Sequence, residues 1–169
     1  MTANDDSSPT RLVIDTNVVL ALWLFVDPAL DDLRRAIEAG HYLLLSRDDA
    51  LTELALVLAY PQFGQQATQR QAILARYRRH LHCLSAPTDE EQAELARLPQ
   101  CADGDDQKFI EIAWLGGAGQ LLTRDRQLLK TGRKQVLKTR FQTQSPEAFL
   151  PPAQPQEVKP QTLARNSSR

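Results

Sequence analysis

Four acidic positions stand where acids are out of place. Asp15 follows the apolar run Leu12, Val13, Ile14 and precedes Val18, Val19 and Leu20, so it falls where a buried strand should end and a helix begin. In open parallel sheets that point is the crevice where ligands bind, because the connecting loops diverge there and helix N-termini point at it. Asp125 stands in the same relation to the run Gln120-Leu121-Leu122-Thr123, separated from it only by Arg124. If the two strands are neighbours, their carboxylates converge. Glu53 is the only charged residue between Ala50 and Gln69, set in LTELALVLAY, whose Leu51, Leu54, Ala55 and Leu58 define one helical face. An ionised carboxylate in such surroundings must be paired, hydrated or metal-bound, and no basic residue is near it in sequence. In CADGDDQKFIEIA, Asp103, Asp105 and Asp106 crowd the start of a helix whose positive dipole end favours negative charge. Asp106, three residues before Phe109, leans inward.

Clustered acids repel one another, and roughly 1 kcal/mol or more per close pair must be offset by a counter-charge. A hard divalent cation supplies it. Oxygen ligands without accompanying cysteine or histidine point to Mg²⁺ or Mn²⁺ rather than zinc, and Mg²⁺ keeps several waters when only a few carboxylates hold it. Two metals roughly 4 Å apart can activate such a water for phosphodiester hydrolysis and stabilise the leaving oxygen, so acids alone can carry that reaction. Each acid also has a structural reading: Asp15 as a helix N-cap, Asp105 and Asp106 as dipole partners, Glu53 paired with an arginine, Asp125 opening a turn.

The elements that would position these acids alternate along the chain. Short apolar runs of strand character, Arg11–Ile14, Tyr42–Leu45 and Gln120–Thr123, are interleaved with longer helical patterns at about Val18–Phe25, Pro28–Ala39, Arg47–Ala59, Gln65–Leu81, Asp89–Leu98 and Asp105–Leu115. Such alternation indicates an α/β fold with a mainly parallel sheet. Ser46, Asp89 and Asp105 lie near the expected helix starts. Gly116–Gly119 follows a helix and precedes a strand, the reverse of a phosphate loop, and reads as a helix stop. The 169 residues, 42% apolar, are expected to make one compact domain, with residues 1–10 and the Pro-rich stretch 151–169 as disordered tails. A net charge of -1 excludes a global basic field. Two cysteines, Cys83 and Cys101, make neither a zinc pair nor a disulfide framework, and a soluble protein of the reducing cytoplasm is expected. The polar N-terminus is unlike a secretory signal, and no apolar run approaches membrane-spanning length.

Taken in order, IDTNVV, the acid in SRDDALTELALVL, CADGDDQKFIEIAWLGGAG and LLTRDRQLL resemble the PIN-domain family, and within it the bacterial VapC-like branch described as toxin components of toxin–antitoxin systems. The resemblance spans about Arg11 to Leu150. It implies a three-layer α/β/α sandwich and a ribonuclease whose Mg²⁺ or Mn²⁺ is bound by Asp15, Glu53, Asp106 and Asp125. It also implies that Asn17 and Thr123 shape the site through hydrogen bonds, with Asp103 in a supporting position. The alignment can slip by one, which leaves Asp105 as the competitor of Asp106. A small antitoxin and a homodimer are further implications.

Substrate would need cations beside the acids. No acidic residue lies between Leu54 and Thr88, a stretch with Arg70, Arg76, Arg78 and Arg79, and none between Arg126 and Arg140, which includes Lys130, Arg133, Lys134 and Lys138. Arg76, Arg79, Arg126 and Lys130 are the expected phosphate contacts, against a plain solvated helix face. Tyr77 and Phe141 are candidates for base stacking. Two other classes compete: a non-catalytic RNA-binding or partner-docking module on the same fold, and a haloacid-dehalogenase-like phosphatase. The phosphatase requires a second acid two residues after the first, where this chain has Asn17.

Overall fold

The computed structural model describes residues 9–149. Most of the expected N-terminal tail and all of 151–169 lie outside that range, and Thr10, counted with the tail, instead opens the first strand.

The chain runs β1 (Thr10–Ile14), α1 (Thr16–Trp23), α2 (Asp31–Glu38), β2 (Tyr42–Arg47), α3 (Asp48–Leu58), α4 (Ala67–Arg78), β3 (Leu81–Leu84), α5 (Asp89–Leu95), α6 (Gln107–Leu115), β4 (Gln120–Leu122), α7 (Arg126–Gly132), α8 (Gln135–Lys138) and β5 (Gln142–Gln144). The five strands form one sheet in the order β3-β2-β1-β4-β5. Every pairing is parallel. Successive side chains on a strand point to opposite faces. Leu12 and Ile14 therefore enter one apolar cluster, with α1, α2 and α4, while Val13 enters the other, with α5, α6, α7 and α8. Leu44 and Leu122 follow Leu12, and Leu45 and Leu121 follow Val13. The result is the expected α/β class in three layers, α/β/α.

Two of the three expected strands end within a residue or so of their expected limits, while β2 extends two residues further, to Arg47. β3 and β5 were not anticipated. The expected helix Gln65–Leu81 takes in only the first residue of Leu81–Leu84, whose other residues fall in no expected element, and Gln142-Thr143-Gln144 has no apolar side chain to announce it. Both are edge strands and owe their conformation to pairing with β2 and β4. Helices α7 and α8 also escaped the sequence pattern. The caps differ in detail: α3 starts after Arg47 without a side-chain cap, Thr88 rather than Asp89 caps α5, and Asp106 precedes α6. Ala55, placed on the buried face of α3, is exposed, and Leu51, Leu54 and Leu58 form that face.

Strand order reverses between β1 and β4, since the chain first builds outward to β3 and then returns to the other side of β1. Loops diverge at such a switch point and leave a crevice beyond the carboxyl ends of the strands. Asp15 and Asp125 follow those two strands.

Gly116 ends α6 and Gly117 takes the left-handed conformation that glycine favours, φ 61°. A Cβ on Gly116 would lie 2.6 Å from Leu45 Cδ1 and 2.9 Å from the Ile112 carbonyl. Gly116→Ala is accordingly expected to lower stability by about 1–3 kcal/mol, read as a shift in the urea midpoint at unchanged slope.

Candidate active site

The strand ends position the first pair of acids. Asp15 caps α1, its Oδ1 accepting from the Val18 amide at 2.8 Å. Its other oxygen accepts from the Thr123 hydroxyl. Asp125 caps α7 in the same way, accepting from the Leu128 amide at 2.8 Å, and its own amide donates to Thr123 Oγ1 at 2.9 Å. Thr123, fully buried, thus joins the two acids through one hydroxyl. The capping alternative is real for both residues, and each cap occupies a single carboxylate oxygen.

Glu53 comes from α3, which begins at the carboxyl end of β2 and packs Ala50 against one cluster and Leu51 against the other. It accepts from Thr16 Oγ1 at 2.7 Å. Its other oxygen is paired with the Lys108 ammonium from α6. The partner missing from the sequence neighbourhood is therefore a lysine, where an arginine was the alternative considered. A second ion pair fastens the same two helices: Arg47, buried at the end of β2, reaches Glu111 at 2.8 Å and Asp49 at 2.7 Å.

Asp106 lies at the end of a 3₁₀ turn, Gly104–Asp106, capped by Asp103, whose side chain accepts from the Asp105 amide at 2.9 Å. Asp106 is half-buried and Asp105 exposed. Burial first, and then the charges of Asp125, Asp103, Asp15 and Glu53, push the Asp106 carboxyl up to about 6. Asp15 is likewise raised to about 6, mainly by burial, with Asp125 and Glu53 adding to the rise against the lowering effect of its hydrogen bonds. The four acids thus lie near enough for their charges to act on Asp15 or Asp106. Asp105 does not contribute to either.

Other expected positions fall differently. Asn17 is exposed. Tyr77 and Phe141, read as stacking candidates, are core residues at 3% exposure, because α4 and the end of α8 turn them inward. The exposed aromatics are Phe25 and Tyr60. Arg76, Arg79, Arg126 and Lys130 are all exposed, with Arg76 near Glu38 at 4.0 Å. Arg126 and Lys130 are one helical turn apart on α7, directly behind Asp125. Sequence reasoning missed Thr16 and Lys108. Lys108 had a legible signal, since a cation in the first turn of a helix opposes the dipole.

Among the described residues no three His, Cys, Asp or Glu side chains converge closely enough, as they stand, to hold a metal ion. The donor chemistry nevertheless suits a hard cation: the donors are all oxygen, two of them are held above their ordinary range by burial first and by the charges of neighbouring acids second, and a cation, the Lys108 ammonium, already sits on a third. A cavity of about 530 Å³ between α7, α8 and β5 is lined by none of these acids.

Fold and site together define a doubly wound α/β/α domain with Asp15 and Asp125, joined by Thr123, beyond the strand ends at its switch point. The PIN domain family model matches residues 11–127, more than half of the chain, and the protein belongs to that family. PIN domains are generally nucleases that use divalent metals. Among solved structures, VapBC2 from Rickettsia felis bound to a DNA fragment from its promoter aligns at 12% identity and TM-score 0.56, over 80% of this chain and 98% of that one. PAE2754 from Pyrobaculum aerophilum aligns at 16% identity and TM-score 0.46, over 77% and 91%. No curated protein matches. No helix among the described residues is long and apolar enough to cross a membrane.

The raised acids have a thermodynamic signature. An acid whose value is higher in the folded state contributes stability that is fully present below its unfolded value and lost as pH rises through the folded one. For Asp106 that window runs from 3.8 to about 6. Metal-free Asp106→Asn is therefore expected to resist urea better than wild type at pH 7, with the gap closing below pH 3.8. Equal midpoints at pH 7 would show that burial and the neighbouring acids do not raise the Asp106 carboxyl in solution.

Proposed function

We propose that the protein is a metal-dependent endoribonuclease in which Asp15, Glu53, Asp106 and Asp125 hold Mg²⁺ or Mn²⁺ and direct a water at an RNA phosphodiester. The observation that carries this reading is the placement of Asp15 and Asp125 after the two strands that flank the switch point, joined by the Thr123 hydroxyl, with Glu53 and Asp106 near enough for their charges to be felt there. A shared excess of negative charge in a half-buried mouth is costly in a protein whose only task is to fold. It is useful where a divalent cation and then a phosphate must be received. Bound there, the metal would lower the pKa of a ligating water and stabilise the leaving oxygen.

The chain's own residues do the positioning. Thr123 fixes the spacing of Asp15 and Asp125, and Thr16 orients Glu53. Asp106, set by the turn that Asp103 caps, closes the mouth from the α6 side. Arg126 and Lys130 would hold phosphates on the α7 side of the scissile bond, and Arg76 and Arg79 on the α4 side. Such contacts read the backbone and leave base identity unspecified. The toxin role in a toxin–antitoxin pair, with a small antitoxin that covers the acidic mouth, is the biological setting we infer. It draws support from the family and from the fold shared with VapBC2, and an open reading frame for a small acid-mouth-binding protein beside this gene is its expected correlate.

Purified protein is expected to cleave single-stranded RNA with Mg²⁺ or Mn²⁺ and to stop on chelation. Asp15→Asn should fall by about 10²-fold or more, the size typical of removing one preorganised electrostatic group. Wild type and Asp15→Asn that bind RNA alike and cleave nothing would replace this reading with a non-catalytic module. Removing Arg126 and Lys130 together should weaken RNA binding for all sequences and flatten its salt dependence by about one unit of slope per lost phosphate contact. An unchanged slope would remove α7 from the interface.

A further inference from the structure

Of the four acids at the mouth, Glu53 has a counter-charge supplied by the chain itself. The Lys108 ammonium pairs with Glu53 Oε2 while Thr16 holds Oε1. The lysine side chain is 13% exposed, its nitrogen also donates to the Asp105 carbonyl, and its charge extends to Asp49. Two arginines near the site are committed elsewhere, Arg47 to Asp49 and Glu111 and Arg124 to Asp27 and Glu147. Lys108 occupies this place at a cost, because it stands in the first turn of α6, where the helix dipole disfavours a cation. The Glu53 carboxylate is the ion-pair partner that offsets a stem this buried and a position this unfavourable, with the Asp105 carbonyl as a further acceptor.

A divalent cation and an ammonium cannot both neutralise the same carboxylate at short range without repelling each other. We propose that Lys108 is the resident counter-ion of this site: it holds Glu53 while the divalent cation is away and surrenders that carboxylate when the cation arrives, so lysine and metal compete for it. The inference rests on the metal-dependent reading above. It adds that the metal-free site is a defined ion-paired state, and that metal affinity is set below what the bare acid cluster would give.

The test uses the full chain at pH 7 and fixed ionic strength, with Mn²⁺ binding followed by calorimetry. The proteins are wild type, Lys108→Met, Lys108→Gln and a charge control, Arg35→Gln, taken from an exposed pair on α2. Circular dichroism checks that each is folded. Both Lys108 variants are expected to bind Mn²⁺ about tenfold more tightly or better, in line with removing a charge that close to a carboxylate. Their metal-free melting temperatures should fall below wild type, and the deficit should shrink as Mn²⁺ is added. Arg35→Gln should match wild type. A measurement on wild type alone needs no variant to fold: the rate at which an amine-selective acylating reagent modifies Lys108, read by mass spectrometry, should rise when Mn²⁺ is added. If wild type binds Mn²⁺ while the Lys108 variants bind it equally or more weakly, or if Lys108 reactivity does not change on loading, competition is overturned and the metal-dependent reading stands. If neither wild type nor the variants bind Mn²⁺, the metal-dependent reading fails and this inference goes with it.

Discussion

Like charges gathered in a half-buried mouth set the terms for everything around them. Asp15, Glu53, Asp106 and Asp125 come from four separate segments, and left to themselves their carboxylates would drift apart or recruit protons. Burial first, and the charges of the other acids second, hold Asp15 and Asp106 up to about 6. What opposes that drift is a small set of directed bonds. The Thr123 hydroxyl donates to Asp15 and accepts from the Asp125 amide. Helix N-termini take one oxygen of Asp15 and one of Asp125, and Thr16 with Lys108 takes both oxygens of Glu53. Each of these bonds uses a donor that the fold has already immobilised, so holding the acids costs little further ordering entropy.

The sheet provides that immobility. β1 lies at its centre and is buried on both faces, so the backbone that ends at Asp15 has no freedom to relax from the strain of burying a charge. On the α6 side the restraint is a clamp of ion pairs, Lys108 to Glu53 and Arg47 to both Glu111 of α6 and Asp49 of α3, which fixes α3 across the ends of the strands. The clamp and the acids are therefore one device: the element that neutralises Glu53 also sets where α3 sits. A single exposed ion pair would be worth little for stability. Partly buried pairs that join two helices over a charged mouth act mainly by specifying one arrangement.

The legible part of the fold was the part whose local pattern and tertiary role coincide. β1 and β2 are runs of large apolar residues because both of their faces are covered, and the long helices show a buried stripe such as Leu33, Ala36 and Ile37 on α2. The edges lacked that coincidence. Leu81–Leu84 has no fully buried position, with half-buried leucines at its two ends and exposed residues between, and Gln142-Thr143-Gln144 carries polar side chains throughout. Their strand conformation comes from ladder hydrogen bonds to β2 and β4, which no local pattern records. α7 and α8 are short, and their buried large apolar residues reduce to Leu128 and Leu137.

By itself the sequence determined that acids would stand at the ends of apolar strands, in a motif order that belongs to one family, because an ionisable residue beside an apolar run is conspicuous wherever the chain folds. Tertiary structure decided which acids lie near one another. It turned Asp106 toward the mouth and left Asp105 exposed, since the 3₁₀ turn before α6 directs neighbouring side chains apart. It also brought Lys108 onto Glu53 and Thr123 between Asp15 and Asp125, across separations in sequence that no spacing rule can span. A charge reveals itself locally, but its partner is chosen by packing.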